Sequence, residues 1–250
     1  MATSQTLFGL TFAVLLGVST VTHGQESGVF EDRVLKDADG TEAKYVVFKP
    51  AGAGKVVEGK KIPLILFLHG SGETGTDGKK QATVGLGPVV KKQAATFPAY
   101  VVFAQSHKRN WRAGSTDANR ALRMVDELCK EAPIDTNRIY LSGLSMGGYG
   151  TWSLAAAEPK RWAAIVPVCG GGNPADVGKF KDIPCWCFHG DKDTAVKVEK
   201  SREMIEALKK VESEPKYTEY PGVGHNSWDK AYGTPELFPW LFAQKRTELK

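Results

Sequence analysis

Five short, nearly continuous apolar runs constrain the fold of this chain more than any other feature. They lie at residues 62–68, 99–103, 138–141, 163–168 and 183–188. Runs of this length are typical of strands buried on both faces of a sheet. Other segments carry apolar residues at helical spacing or open like helices: residues 117–130, 148–157, 198–211 and 235–245. Alternating strands and helices predict an α/β fold with a mostly parallel central sheet and helices on both faces.

The segments at either end complete this outline. Residues 29–35 and 44–48 have alternating or β-branched patterns around an Asp-Ala-Asp-Gly turn, which predicts an N-terminal antiparallel hairpin. A last strand is expected at residues 216–220. Ser115 or Thr116 is expected to cap the predicted helix at residues 117–130. The length of 250 residues fits one domain, with little left for a sizeable lid. Function should lie at the carboxyl ends of the parallel strands.

The first 24 residues differ from the rest of the chain. They contain no charged side chain, and residues 7–21 form an almost unbroken run of apolar and small residues. At about fifteen residues, this run is shorter than the roughly twenty that a membrane span needs. We therefore expect a signal peptide over residues 1–24, with the small Thr22 and Gly24 before its cleavage site. The mature domain, residues 25–250, should be secreted or periplasmic, without stable membrane insertion.

The charge pattern does not suggest a nucleic-acid partner. The formal net charge is +5, but acidic and basic residues alternate, as in Lys200, Arg202 and Glu203, which is typical of a solvated face. A nucleic-acid-binding protein would carry a basic stripe together with a recognisable motif. The pattern fits a compact protein whose partner is a small molecule.

The four cysteines are expected to be buried free thiols. They are few and lie in apolar surroundings: Cys129, Cys169, Cys185 and Cys187. Cys185, Cys187 and His189 alternate along a predicted strand, so they share one face and could in principle bind a metal. Since a strand core also needs small apolar residues, packing is the preferred explanation, and no metal is expected.

Residues 143–147, Gly-Leu-Ser-Met-Gly, have the pattern of a nucleophile elbow. They follow the predicted strand at residues 138–141 and precede the helix-like segment at residues 148–157. Such a turn exposes the serine hydroxyl, and its glycines let the strand and the helix approach closely. Ser145 is therefore the candidate nucleophile.

A serine nucleophile needs a base, and four histidines remain once His23 leaves with the predicted signal peptide. His69 and His189 each precede a glycine at a strand end, which suggests a role in shaping loops. His107 lies before the nucleophile in a basic loop. His225 lies in a glycine-rich loop after the last predicted strand, where a catalytic histidine would reach over the sheet. It is the candidate base.

The third member should be an acid that orients the imidazole. The loop after residue 188 offers Asp191 and Asp193, which gives the chain order Ser, Asp, His. Asp193 is preferred because the extra residues let its carboxylate turn back toward His225. Asp191 is the alternative, and otherwise should cap a turn.

Acyl transfer also needs donors for the developing oxyanion. The loop at residues 69–75, His-Gly-Ser-Gly-Glu-Thr-Gly, can present free backbone N–H groups, and we assign one donor to Ser71 and the other to Met146. A phosphate-binding loop would require a following lysine, and a dinucleotide fingerprint would require a different glycine spacing.

Four segments together resemble small secreted α/β-hydrolases related to carbohydrate esterases, feruloyl esterases and predicted peptidases of the prolyl oligopeptidase class. They are residues 68–73, 143–152, 169–172 and 224–229. The resemblance covers nearly all of residues 62–245 and implies Ser145, Asp193 and His225 as the triad. Thr74 stands where many relatives have arginine, and Lys197 where a proline often occurs. The substrate does not follow from the fold, because this scaffold serves esterases, lipases and peptidases.

The sequence thus predicts a serine hydrolase that cleaves carboxylic esters of small molecules or carbohydrates without a cofactor. Trp111 and Trp228 are candidate walls for the acyl or sugar group, although packing is the more common role of such a residue. A serine peptidase acting on short peptides is one alternative. An inactive binding protein on the same fold is a second, which the complete set of triad residues disfavours. The sequence predicts no oligomeric state.

Overall fold

The computed structural model describes Met1, residues 27–55 and residues 60–246; apart from Met1, the predicted signal peptide lies outside these residues. Eight strands form one open sheet: β1 Val29–Lys36, β2 Glu42–Lys49, β3 Ile62–Leu68, β4 Tyr100–Ala104, β5 Ile134–Leu144, β6 Ala164–Val168, β7 Trp186–Gly190 and β8 Lys216–Tyr220. Their order is β1-β2-β4-β3-β5-β6-β7-β8. β1 and β2 form an antiparallel hairpin, β2 is antiparallel to β4, and the remaining pairs are parallel. The predicted fold class is confirmed.

Six helices cover the two faces of the sheet: α1 Leu86–Lys92, α2 Thr116–Glu131, α3 Met146–Ala157, α4 Glu199–Lys210, α5 Trp228–Tyr232 and α6 Leu237–Ala243. One core lies between the sheet and α2, α3 and α4, and the other between the sheet and α1, α5 and α6. Successive side chains of β3 alternate between these two cores: Leu66 belongs to the first and Phe67 to the second. The nucleophile region therefore lies on a strand supported from both sides.

The helix caps and the cysteines refine the sequence predictions. Ser115 caps α2, because its side chain accepts a hydrogen bond from the Ala118 N–H, and Thr116 is the first helical residue. All four cysteines are free thiols, but Cys129 is only half-buried whereas the other three are buried. No helix among the described residues combines the length and apolar character that crossing a bilayer requires.

Two strands begin three or more residues from their predicted starts, for physical reasons. β5 begins at Ile134 rather than at residue 138, because Ile134 pairs with Ile62 before a register shift. The polar residues in between resemble a turn in the sequence. β7 begins at Trp186 rather than at residue 183, because Pro184 has no N–H to donate and Cys185 makes only an isolated bridge to Ile165.

Candidate active site

Ser145 occupies a strained turn between β5 and α3. Its backbone angles are φ +54° and ψ −115°, a combination that residues other than glycine rarely adopt and that costs about 1–3 kcal/mol. Two backbone hydrogen bonds hold the turn: the Ser145 N–H donates to the Val168 carbonyl at 2.9 Å, and the Ser145 carbonyl accepts from the Tyr149 N–H at 3.0 Å. The strain lifts the hydroxyl away from the end of the sheet.

Glycines on either side of Ser145 allow this turn to form. A Cβ at Gly143 would collide with the Gly147 carbonyl, and a Cβ at Gly147 would collide with the Leu68 carbonyl. A Cβ at Gly148 would come within 2.5 Å of the Val168 carbonyl. The first turn of α3 therefore lies directly against the ends of β3 and β6, an approach that any side chain would block.

The structure brings the three predicted triad side chains into one hydrogen-bonded chain. The Ser145 Oγ lies 2.9 Å from the His225 Nε2, and the His225 Nδ1 lies 2.7 Å from the Asp193 Oδ2. The Asp193 carboxylate is fully buried, whereas the imidazole is 28 % exposed. With the proton on Nδ1 donated to the carboxylate, Nε2 can accept the proton of the hydroxyl. The Trp228 ring packs edge-on against the imidazole at 5.3 Å.

The two aspartates of the loop after β7 bind different groups. The Asp193 Oδ1 accepts hydrogen bonds from the N–H groups of Ala195 and Val196, each at 2.9 Å, while its other oxygen faces His225. The Asp191 Oδ1 accepts from the Gly222 N–H at 2.7 Å and so ties this loop to the loop that carries His225. The geometry places Asp193, and not Asp191, against the imidazole.

His189 is a contact of Asp193 that the sequence interpretation missed. Its Nε2 lies 3.2 Å from the Asp193 Oδ2 and 2.9 Å from the Val196 carbonyl. Because both neighbours are acceptors, this nitrogen carries the proton and donates. Its Nδ1 lies 2.7 Å from the Ser201 Oγ, and burial lowers the pKa of the ring. The only sequence signal for this contact is that His189 and Asp193 are four residues apart across the end of β7.

The two expected oxyanion donors lie on either side of the nucleophile. Ser71 opens a single 3₁₀ turn, Ser71–Glu73, directly after Gly70, and a Cβ at Gly70 would lie 3.6 Å from the Ser145 Cβ. Met146 opens α3, so its N–H precedes the first intrahelical hydrogen bond and has no partner within the helix. No hydrogen bond from either N–H group to an acceptor is recorded among the described residues, so their role as oxyanion donors stays a prediction.

His69 serves the loop between β3 and the 3₁₀ turn, as its position suggested. Its Nε2 accepts from the Ser106 N–H at 2.9 Å, and its Nδ1 donates to the Gly70 carbonyl at 2.5 Å. Burial lowers the pKa of this imidazole to about 4. The Trp111 indole N–H donates to the His69 carbonyl at 3.0 Å. These bonds fix the loop that carries Ser71.

A cavity of about 380 Å³ lies beside α3 and is lined by Met146, the residue after the nucleophile, but not by Ser145 or His225. Met146, Tyr149 and Trp152 of α3 form one wall of this cavity. Trp111 also lines it, whereas Trp228 does not and packs against His225 instead. That either tryptophan contacts the substrate stays a prediction.

One cluster among the described residues has ligand atoms close enough for a metal ion, and it coincides with the triad. The Cys169 Sγ lies within 4.8 Å of ligand atoms of Asp193 and His225. The latter two already bond each other, and burial raises the pKa of the Cys169 thiol to about 12, which keeps it protonated. The donor set therefore suits proton transfer better than metal binding. Cys185, Cys187 and His189 do not form such a cluster.

Comparisons with known proteins agree with the fold. Residues 98–234 match the family model described as phospholipase/carboxylesterase. A putative esterase, NocK, from Nocardia uniformis subsp. tsuyamanensis is 29 % identical over 168 residues, which is 62 % of this chain and 46 % of that protein. A bifunctional acetylxylan esterase/xylanase from Neocallimastix patriciarum is 36 % identical over 81 residues, 32 % of this chain and 12 % of that protein.

A solved structure of a thermostable esterase superposes with a TM-score of 0.78 and 34 % sequence identity. The match covers 87 % of this chain and 63 % of that one. The chain thus spans less than half the length of these curated relatives and under two thirds of the solved esterase.

Proposed function

The chain belongs to the phospholipase/carboxylesterase family, and on that premise we propose that it hydrolyses carboxylic esters through an acyl-enzyme on Ser145. The observation that carries the proposal is the unbroken chain of hydrogen bonds from the Ser145 hydroxyl through His225 to the buried Asp193. A hydroxyl in a strained turn, in contact with an oriented base, is the arrangement that nucleophilic catalysis requires.

In the acylation step, the Ser145 Oγ attacks the ester carbonyl carbon while its proton moves to the His225 Nε2. The imidazolium that forms is stabilised by the Asp193 carboxylate, which stays ionised. The negative charge on the former carbonyl oxygen is bound by the N–H groups of Ser71 and Met146. The tetrahedral intermediate then collapses, and the alcohol leaves with the proton from His225.

Deacylation repeats these steps with water as the nucleophile. His225 accepts a proton from water, and the resulting hydroxide attacks the acyl carbon. The second tetrahedral intermediate breaks its bond to the Ser145 Oγ, which takes the proton back from His225. Every proton transfer is served by residues of this chain. The substrates are esters of small molecules or carbohydrates, consistent with the name of the acetylxylan esterase relative.

The proposal is tested with Ser145→Ala, assayed against acetyl, feruloyl and long-chain esters beside a dipeptide amide. Ser145→Ala should lose several orders of magnitude in kcat while keeping the wild-type fold by circular dichroism. Ser213→Ala, in the loop before β8, is the control and should remain active. A fluorophosphonate probe should label Ser145. Substantial turnover by Ser145→Ala would refute the assignment, and preferred cleavage of the amide would favour a peptidase.

We also propose that the protein is exported and acts outside the cytoplasm. The uncharged apolar run at residues 7–21 and the small Thr22 and Gly24 support removal of the first 24 residues. N-terminal sequencing of the exported protein should find a start near Gln25. An intact Met1 on membrane-bound protein would mean that the leader is an uncleaved anchor.

A further inference from the structure

The cavity beside Met146 has both aromatic and charged residues in its lining. Trp111, Trp152 and Phe180 line it, and each of these residues is at most 2 % exposed. Its volume of about 380 Å³ is sufficient for a small ring or a short branched chain. Because Met146, the residue after the proposed nucleophile, lines it, we take the cavity as the site for one part of the ester being cleaved.

Two arginines, Arg109 and Arg112, stand at the mouth of this cavity and are exposed. The other seven of the nine arginines each place the guanidinium on an acceptor of the chain: Arg33, Arg120, Arg123, Arg138, Arg161, Arg202 and Arg246. Within residues 27–55 and 60–246, no acceptor takes a hydrogen bond from the guanidinium of Arg109 or Arg112. Both are free to bind a ligand.

The loop that carries the two arginines is anchored on either side of Arg109. Before it, the Lys108 N–H donates to the Asp117 Oδ2 at 2.8 Å, and after it, the Asn110 N–H donates to the Ser106 Oγ at 3.2 Å. Arg109 itself has φ +55°, in the left-handed region that residues with a Cβ avoid. The surrounding bonds therefore hold Arg109 in a conformation that it would not choose by itself.

No free carboxylate balances this charge at the cavity. Asp176 is the acidic residue that lines it, and its carboxylate accepts from the Lys179 Nζ at 2.6 Å and from the Asn173 side chain at 3.0 Å. Lys200, which lies beside Gly171 of the wall, is paired with Glu203 at 2.9 Å. The excess positive charge at the mouth is therefore that of Arg109 and Arg112.

We propose that this cavity selects esters that carry a carboxylate in addition to the scissile ester bond. The apolar part of the substrate packs against Met146 and Tyr149, whose side chains are not buried, and the carboxylate binds the guanidinium groups of Arg109 and Arg112 through paired N–H donors. The inference rests on the proposed esterase function and narrows its substrate class. The carboxylate can belong to either the acid or the alcohol part of the ester, and the two parts are tested separately.

The experiment compares kcat/KM for two matched pairs of esters. The acid part is tested with 4-nitrophenyl hydrogen glutarate against 4-nitrophenyl pentanoate, and the alcohol part with 4-acetoxybenzoate against 4-acetoxybenzamide. The wild type should favour the anionic member of one pair by roughly tenfold, the effect expected of two partly exposed ion pairs. The Arg109→Gln/Arg112→Gln double variant should abolish this ratio. Added salt should reduce it in the wild type, because exposed charges are screened.

Lys108→Gln is the matched control, since it removes a neighbouring positive charge whose side chain does not line the cavity. It should keep the wild-type ratio. An equal loss in Lys108→Gln would mean general attraction of anions, and a ratio near one in both pairs would mean no selection; either result overturns the inference. In either case the esterase proposal would still hold if the wild type cleaves the neutral esters and Ser145→Ala does not. Wild-type protein that cleaves none of the four would overturn both.

Discussion

Asp191 and Asp193 stand two residues apart, yet exchanging each for asparagine should have different effects. Asp193→Asn should lower kcat by roughly 10⁴-fold, because an amide cannot stabilise the charged imidazole or hold its productive tautomer. Asp191→Asn should mainly lower stability, since its carboxylate joins two loops through the Gly222 N–H. Turnover at neutral pH and thermal unfolding of both variants decide between them. A slow Asp191→Asn beside a nearly normal Asp193→Asn would reverse the assignment.

His189 should act as a positioning residue for Asp193. His189→Phe removes the donor to the Asp193 Oδ2, so more uncompensated negative charge faces the imidazole of His225. The acid limb of the kcat/KM profile should therefore move to higher pH, with kcat reduced by on the order of tenfold. His189→Gln keeps a donor near the position of Nε2 and should restore much of the wild-type pH profile and of kcat. An unchanged pH profile in His189→Phe would reduce His189 to a packing role.

The triad residues could be predicted from the sequence because each depends on local pattern. The turn around Ser145 is fixed by its glycines, and the positions of Asp193 and His225 follow from the strand ends that precede them. The His189 contact could not be predicted in this way. It depends on how the loop after β7 turns, with its N–H groups closing on Asp193. The same limit applied to Trp228, whose packing against His225 depends on the start of α5.

The junction between β5 and α3 should tolerate no side chain at Gly147. Gly147→Ala forces α3 away from the Leu68 carbonyl and should cost more than about 2 kcal/mol in the free energy of unfolding, with loss of activity. Gly178→Ala is the control, because a Cβ there has no neighbour within 4 Å. Denaturant unfolding and ester hydrolysis should be measured for both. Equal stability and activity of the two variants would contradict the close approach of strand and helix.

Element types were easier to predict than element bounds. β3 and β8 have the predicted limits because each is a compact run bounded by clear changes of pattern. β5 extends to Ile134 because its register shift against β3 accommodates polar residues that look like a turn. Such a shift is decided by the partner strand, which a single sequence does not display.

The whole molecule should lose stability on acidification because it buries neutral histidines. The His69 pKa falls from 6.5 to about 4 on folding, so between these values the unfolded chain binds more protons than the folded one. Its contribution is fully present above about pH 6.5 and should fall by up to about 3 kcal/mol as the pH drops to 4. The lowered pKa of His189 acts in the same direction. Denaturant unfolding at several pH values measures the slope, which should be shallower in His69→Gln. An unchanged slope in that variant would assign the effect to other groups.

The sheet order has a consequence for how activity appears during folding. Ser145 follows the central β5, whereas His225 follows β8 at the edge of the sheet, 80 residues later in the chain. β8 is held in the sheet by β7 alone, so His225 is in place only once this edge strand has paired. A refolding chain can therefore recover most of its strands and its tryptophan burial while hydrolysis is still zero. The recovery of ester hydrolysis therefore reports the final step of refolding. A nascent chain should have no hydrolytic activity until its last strand has left the ribosome.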